Sequence, residues 1–194
     1  MPTIKSHLLL AVLCLMADLS VAWAEGTSRS VTKIDGLEYT IEIDRHERLI
    51  KARTARDATL SVFASDGCSG GLSAGWNLFS SAVPAIAKRS GDRPPWEKCC
   101  VAHDRIYHTG GPPDADANIS FEARRTADEE FRQCVIRVGE ERLQTLMAEY
   151  GLTSDQVSLL YRTIADLMYR AVRLGGAPCT GLSWRWGFGW PACE

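Results

Sequence analysis

Apolar and polar side chains alternate most regularly near the start of the chain, within residues 30–63. Tyr39, Ile41 and Ile43 are each followed by a polar residue, and an Asp-Gly pair precedes them. A period of two is typical of a strand with one buried face, and Asp-Gly favours a hairpin turn. The pattern predicts a small N-terminal β element here, to which residues 60–63 could add a strand.

Helical periodicity follows in the second half of the chain. Residues 96–107 form a predicted helix that begins after Pro-Pro and ends at Gly-Gly-Pro-Pro. Ser120 is the predicted N-cap of a second helix, which runs to about Gly139 or on to Tyr150. Its charged residues are interpreted as a solvated face, made of Glu122, Arg124, Arg125, Glu129, Glu130 and Arg132.

A third helix is predicted to open at a capping box, Thr153 to Gln156, and to end at Gly175-Gly176. This helix and the tail after it form a C-terminal region over residues 152–194. The spacing of its apolar residues predicts an inner face of Leu160, Ile164, Leu167, Met168, Ala171 and Val172.

Two stretches rich in aromatic residues leave core packing and lipid contact open. One is a connection at roughly helical spacing, with Trp76, Leu78, Phe79, Val83 and Ile86. The other is the tail between the last two cysteines, with Trp184, Trp186, Phe188 and Trp190.

The first 24 residues have the pattern of a signal peptide. Lys5 precedes a mostly apolar run over residues 8–22, and Ala-Trp-Ala at 22–24 is a typical cleavage site. The run is too short and too interrupted to predict a membrane span. We expect export, to the periplasm or the medium, and a single mature domain over residues 25–194.

Removal of the leader takes one of the seven cysteines and leaves an even number. In an oxidising compartment, six cysteines predict three disulfides, whose pairing spacing alone leaves open. The formal net charge of −2 gives no indication of nucleic-acid binding or of strong attraction to anionic membranes. The six are Cys68, Cys99, Cys100, Cys134, Cys179 and Cys193.

The helix at 96–107 carries the most distinctive chemistry. Within about 140° of arc it presents two cysteines, a base, a carboxylate and a phenol, where an ordinary buried face is mostly aliphatic. Adjacent cysteines do not easily bond each other, so each must be tied to a distant segment. These side chains belong to Cys99, Cys100, His103, Asp104 and Tyr107.

The glycine-rich loop at 66–71 can offer successive backbone carbonyls to a cation. Ca²⁺ takes six to eight oxygen ligands, and Asp104 could add a carboxylate to them. With one carboxylate, such a site should be weak, with a Kd of roughly 10⁻⁴–10⁻³ M. Most glycine-rich loops are only turns, but Cys68 inside this one could join it to the helix that bears Asp104.

Taken together, these motifs resemble secretory phospholipase A2. The segment Cys-Cys-Val-Ala-His-Asp-Arg-Ile-Tyr at 99–107 matches the family's central motif, and Asp128 stands six residues before a cysteine, as in the family. The loop at 67–71 matches the calcium loop, with Ser69 in place of the usual Gly. The resemblance covers residues 66–138, and Ile106, where many animal members have a further Cys, suggests the bacterial or fungal members.

The resemblance implies an active site and a reaction. His103 would be the general base, taking a proton from a water that attacks the sn-2 ester of a phospholipid at a membrane or micelle surface. Asp128 would orient the imidazole and stabilise its charged form, and Tyr107 would support Asp128.

The resemblance also implies a metal and a disulfide framework. Ca²⁺ would be held by Asp104 and the carbonyls of Gly67, Ser69 and Gly71, and would polarise the ester carbonyl. The implied disulfides are Cys68–Cys100 and Cys99–Cys134, which leave Cys179–Cys193. The implied fold is mainly α, a phospholipase A2-like core of two disulfide-linked antiparallel helices with a calcium loop and an extra C-terminal helix.

Less specific interpretations remain beside this one. The chain could be a non-catalytic secreted protein that binds calcium or lipid on the same scaffold, or a disulfide-stabilised domain without metal. His103 and His108 could form a zinc site with the cysteines, although five residues is poor helical spacing. Otherwise His46 and His108 are interpreted as surface groups.

Overall fold

The computed structural model describes residues 27–65, 67–68 and 93–193, with side chains from Gly36 onward. The predicted signal peptide at 1–24, the stripe from Trp76 to Ile86 and two predicted calcium ligands, Ser69 and Gly71, lie outside these residues. The chain divides into two compact units, residues 1–41 and Glu42–Glu194.

The described residues are mainly α-helical and include no β-strand, which confirms the predicted helical class. The structure has no helix in its described ranges that is long and apolar enough to cross a membrane. The helices are α1 (Thr27–Thr54), α2 (Glu97–Thr109), α3 (Ala117–Glu141), α4 (Leu143–Tyr150) and α5 (Ser154–Gly175).

The predicted β element over residues 30–63 is wrong, because residues 27–54 form α1. The alternating apolar residues are not a buried face: Ile41 is 56 % exposed and Tyr39 is 40 % exposed. The buried face of α1 is instead mostly polar, with Glu42, His46 and Leu49 at helical spacing. The apolar residues that alternate in the sequence are therefore exposed on a helix whose buried side includes Glu42 and His46.

Residues 60–63 are not a strand either. Ser61 donates its backbone N–H to the carbonyl of Gly189 at 2.8 Å, but no ladder of such bonds follows among the described residues.

The boundaries of α2 and α3 follow local rules with one correction. Gly110 ends α2 in the left-handed conformation at φ 67°. Asp116, not Ser120, caps α3, since its carboxylate accepts the N–H of Ile119 at 2.8 Å. Ser120 lies one turn further on and is fully buried, so its hydroxyl lies in the core and does not cap the helix.

The capping box that opens α5 is confirmed: Thr153 accepts the N–H of Gln156, whose side chain bonds back. The predicted inner face was only partly right, because Met168 and Val172 are buried but Leu167 is 57 % exposed. The residues that face the core are Val157, Tyr161, Ala165, Met168 and Val172, with Arg173 beside them.

The described residues form three disulfides, Cys68–Cys100, Cys99–Cys134 and Cys179–Cys193, the pairs that the resemblance implies. Three disulfides are typical of proteins from an oxidising, extracellular-type environment. The last of them closes the tail into a loop, and Trp186 within it is fully buried, so this side chain packs in the core.

α2 and α3 run antiparallel. Cys99 is bonded to Cys134, and His103 meets Asp128, so positions rise along α2 as they fall along α3. The Cys99–Cys134 disulfide lies one turn from His103 and thereby fixes the register of the two helices at the point where the candidate site is built.

Candidate active site

His103 and Asp128 form a buried pair between α2 and α3. His103 Nε2 lies 2.8 Å from Asp128 Oδ1, and the Asp128 side chain is fully buried. An ionised carboxylate can only accept hydrogen bonds, so Nε2 carries the proton and donates it. The other ring nitrogen, Nδ1, hydrogen-bonds none of the described residues and is left as the basic nitrogen.

Two aromatic rings hold the imidazole in place. The ring of Phe131 stacks on His103 at 4.6 Å between centroids, and that of Tyr107 lies 4.1 Å away. Both residues are buried. The ring of His103 is therefore confined to one plane, with its two nitrogens in fixed directions.

Both oxygens of the Asp128 carboxylate have partners besides His103. Tyr107 donates its hydroxyl to Oδ1 at 2.7 Å, and Arg173 donates Nη1 to Oδ2 at 2.8 Å. Burial acts to raise the pKa of Asp128, but the hydrogen bond from His103 and the charges of Arg124 and Arg173 outweigh it and lower that pKa. Asp128 is thus held as a carboxylate.

Arg124 lies at the centre of this network. Its Nε donates to the hydroxyl of Tyr107 at 3.1 Å, and its Nη1 pairs with Glu42. Its Nη2 donates to the carbonyls of Val172 and Arg173 at 2.8 and 2.7 Å, in the last turn of α5. The guanidinium therefore joins α1, α2, α3 and α5.

The sequence patterns do not reveal this cluster. Arg124, predicted on a solvated helix face, is fully buried, and Glu42, within the predicted β element, lies on the buried side of α1. Burial acts to raise the pKa of Glu42, but contacts with His46, Arg124 and Arg173 lower it to about 2. The one available signal was that Arg124 precedes Asp128 by four residues, which places both on one face of a helix.

His46 and His108 are not surface groups, contrary to the sequence-based interpretation. His46 is fully buried, with Nδ1 2.9 Å from Ser120 Oγ, and burial lowers its pKa. His108 is also buried, with Nε2 3.3 Å from Ser61 Oγ. Both imidazoles pack in the core because neighbouring hydroxyls satisfy one ring nitrogen each.

A zinc site with His103 and His108 has no support among the described residues. All six described cysteines are in disulfides, and no group of three or more His, Cys, Asp or Glu side chains there could hold a metal.

Asp104 and Gly67 are joined by a short hydrogen-bonded chain. Ser65 donates its hydroxyl to Asp104 Oδ2 at 2.6 Å and accepts the backbone N–H of Gly67 at 3.1 Å. Gly67 has φ 78°, a left-handed conformation that suits glycine. The Cys68–Cys100 disulfide ties this stretch to α2. Two of the four predicted calcium ligands, Asp104 and Gly67, are thus linked through Ser65, and the carboxylate of Asp104 is a ligand that suits a hard cation.

No protein-family model, curated protein or solved structure matches the chain. A function for this protein is therefore inferred from the residues of the site.

Proposed function

We propose that this protein is a calcium-dependent lipid hydrolase of the phospholipase A2 type, which cleaves the sn-2 ester of phospholipids. The observation that carries the proposal is the buried pair of His103 Nε2 and Asp128 Oδ1 at 2.8 Å, on two antiparallel disulfide-linked helices. An imidazole oriented by a carboxylate is a typical general base near neutral pH.

The pair supports activation of water rather than a covalent intermediate. No described serine hydroxyl hydrogen-bonds His103, and the described cysteines are in disulfides, so a side-chain nucleophile has no support there. His103 Nδ1 takes a proton from water as the water oxygen attacks the sn-2 carbonyl carbon. The bond to the glycerol oxygen then breaks, and the imidazolium returns the proton to that oxygen, which yields a fatty acid and a lysophospholipid.

Asp128 has two tasks in this scheme. It keeps the proton on Nε2, so that Nδ1 is free to act, and its charge stabilises the imidazolium while the proton resides there. Its burial and lowered pKa suit both tasks, because a protonated Asp128 could perform neither.

Asp104 and the carbonyl of Gly67, with the carbonyls of Ser69 and Gly71, would hold Ca²⁺. When bound, the ion supplies positive charge for the ester oxygen that becomes negative during attack. The link from Asp104 through Ser65 to Gly67 supports this assignment, as does the disulfide at Cys68. The predicted leader at 1–24 and the three disulfides are consistent with an exported enzyme.

The test is release of fatty acid from phospholipid vesicles labelled in the sn-2 chain, with about 5 mM Ca²⁺ or with a chelator. His103→Gln should lower the rate by at least about 10²-fold, because general-base catalysis contributes about 10²–10⁴. His108→Gln is the matched control, since it removes a buried imidazole from the same helix. A loss below tenfold in His103→Gln, or equal losses in both variants, would contradict the proposal.

Two other outcomes would favour other functions. A rise in melting temperature with millimolar Ca²⁺, but no fatty acid released, would favour a non-catalytic protein that binds calcium or lipid. No release and no Ca²⁺-linked stabilisation would favour a structural domain without metal.

A further inference from the structure

The buried ionic cluster of Glu42, Arg124 and Arg173 is not used by the proposed reaction, yet it contacts the reacting pair. His103 and Tyr107 both bond Oδ1 of Asp128, at 2.8 and 2.7 Å. Oδ2 is bonded by Arg173 at 2.8 Å, and Arg124 Nε is further away, at 3.9 Å. Arg173 is therefore the close donor that holds Oδ2, while His103 and Tyr107 hold Oδ1.

Arg173 is itself held at both ends. Its backbone carbonyl and that of Val172 accept hydrogen bonds from Arg124, which fixes the last turn of α5. Its Nη2 lies 3.5 Å from Glu42 Oε1 on α1. The planar guanidinium thus spans Asp128 and Glu42, which a single-point ammonium group could not do in the same way.

A buried ionic cluster is by itself weak evidence for added stability. Two carboxylates, Glu42 and Asp128, balance two guanidinium groups, Arg124 and Arg173, and all four are buried. Hydrophobic residues of similar volume are often as stabilising as a buried ion pair, because the desolvation cost offsets the Coulomb attraction. What hydrophobic residues could not supply is a fixed donor for Oδ2 of Asp128.

We propose that Arg173 is a positioning residue for the His103–Asp128 pair, with Arg124 and Glu42 holding its guanidinium in place. Without it, Oδ2 loses its close donor and only the contacts at Oδ1 hold the carboxylate, so its hydrogen bond to His103 is less fixed in direction. The kinetic consequence rests on the proposed function, but the structural consequence does not.

The test compares Arg173→Met with Arg170→Met, the matched control on the exposed side of the same helix. The proton on His103 Nε2 should give a slowly exchanging, downfield NMR signal that is absent in His103→Gln, because it is donated to a buried carboxylate. We expect this signal to be lost or broadened by exchange in Arg173→Met and unchanged in Arg170→Met.

Kinetics give a second readout. Arg173→Met should lower kcat by about 10–100-fold with little change in KM, since misplacing a reacting group acts on the chemical step. Arg173→Lys, which keeps the charge without the fork, should lose less and so restore part of the rate. Arg170→Met should match the unmodified protein.

The outcomes separate the two proposals. If the unmodified protein releases no fatty acid, the proposed function fails, and the NMR signal alone decides whether Arg173 positions the pair. A signal in Arg173→Met as sharp and slow to exchange as in Arg170→Met overturns the inference. If Arg173→Met does not fold, Arg173→Lys decides: faster exchange than the control supports the inference, and equality with the control overturns it.

Discussion

Asp128 shows how one residue can be determined by neighbours that are remote in sequence. Its partners come from α2 and from the end of α5, and Arg124 of α3 bonds Tyr107 in turn. Burial alone would favour a protonated carboxyl group, and the hydrogen bond from His103 together with the charges of Arg124 and Arg173 reverses that preference by lowering the pKa of Asp128. The charge of Asp128 is therefore a product of the tertiary structure.

Removing that charge should lower the free energy of unfolding. Asp128→Asn leaves Arg124 and Arg173 buried with a single carboxylate, Glu42, and we expect a loss of about 3–5 kcal/mol in the free energy of unfolding. Urea denaturation measures it. The control is Asp166→Asn, which breaks the half-exposed pair with Arg132 and should cost under about 1 kcal/mol. Equal losses in the two variants would show that Asp128 is not held as a buried charge.

At the scale of elements, α3 and α5 pack closely against each other at Gly139 and Tyr161. A Cβ placed on Gly139 of α3 would overlap the ring of Tyr161 on α5. Glycine here is needed for close approach of two helices, although it is a poor helix former. This contact brings α3 and α5 close together, and Arg173 reaches Asp128 from the last turn of α5.

Gly139→Ala should therefore destabilise the protein by about 1–3 kcal/mol, because the Tyr161 ring has to move to admit a methyl group. Gly36→Ala in α1 is the control, since a Cβ there meets nothing within 4 Å. It should be neutral or stabilising by up to about 1 kcal/mol, as alanine is the better helix former. Thermal unfolding of both variants tests this, and a neutral Gly139→Ala would mean that the helices are less closely packed.

At the scale of the whole molecule, the buried charges make stability depend on pH. The pKa of Glu42 is lowered from 4.5 to about 2, and that of Asp128 is lowered from 3.8. Both groups are more protonated in the unfolded chain in this range, so stability falls as pH falls below about 4.5. His46, whose pKa is lowered by burial from 6.5, adds a decline of the same sign that begins at higher pH.

The melting temperature should therefore drop steeply between pH 4.5 and pH 2. Glu42→Gln should be less stable at pH 7 and should show a shallower drop in that range, because one of the responsible carboxylates is gone. Glu140→Gln, an exposed carboxylate on α3, is the control and should follow the unmodified protein. A Glu42→Gln profile parallel to that of the control would contradict the lowered pKa of Glu42.

The sequence by itself determined the elements whose signals are local. The C-terminal end of α2 at Gly110 and the start of α5 at its capping box follow from the sequence, because capping depends on a few adjacent residues. The adjacent cysteines of α2 pointed to two distant partners, which geometry requires of any such pair. The resemblance to secretory phospholipase A2 pointed to His103 and Asp128, and the two side chains do meet.

Only the tertiary structure decided which polar residues are inside. Glu42, His46 and Arg124 are residue types that usually lie on a solvated surface, yet all three are buried. Hydrophobic patterns do not predict this, because a buried charge depends on partners from other elements. That is why α1 was predicted as strands and Arg124 as a surface residue. A hydrophobic pattern reflects how unfavourable it is to bury each side chain by itself. The folded protein offsets that unfavourable free energy because four opposite charges from α1, α3 and α5 pair with one another.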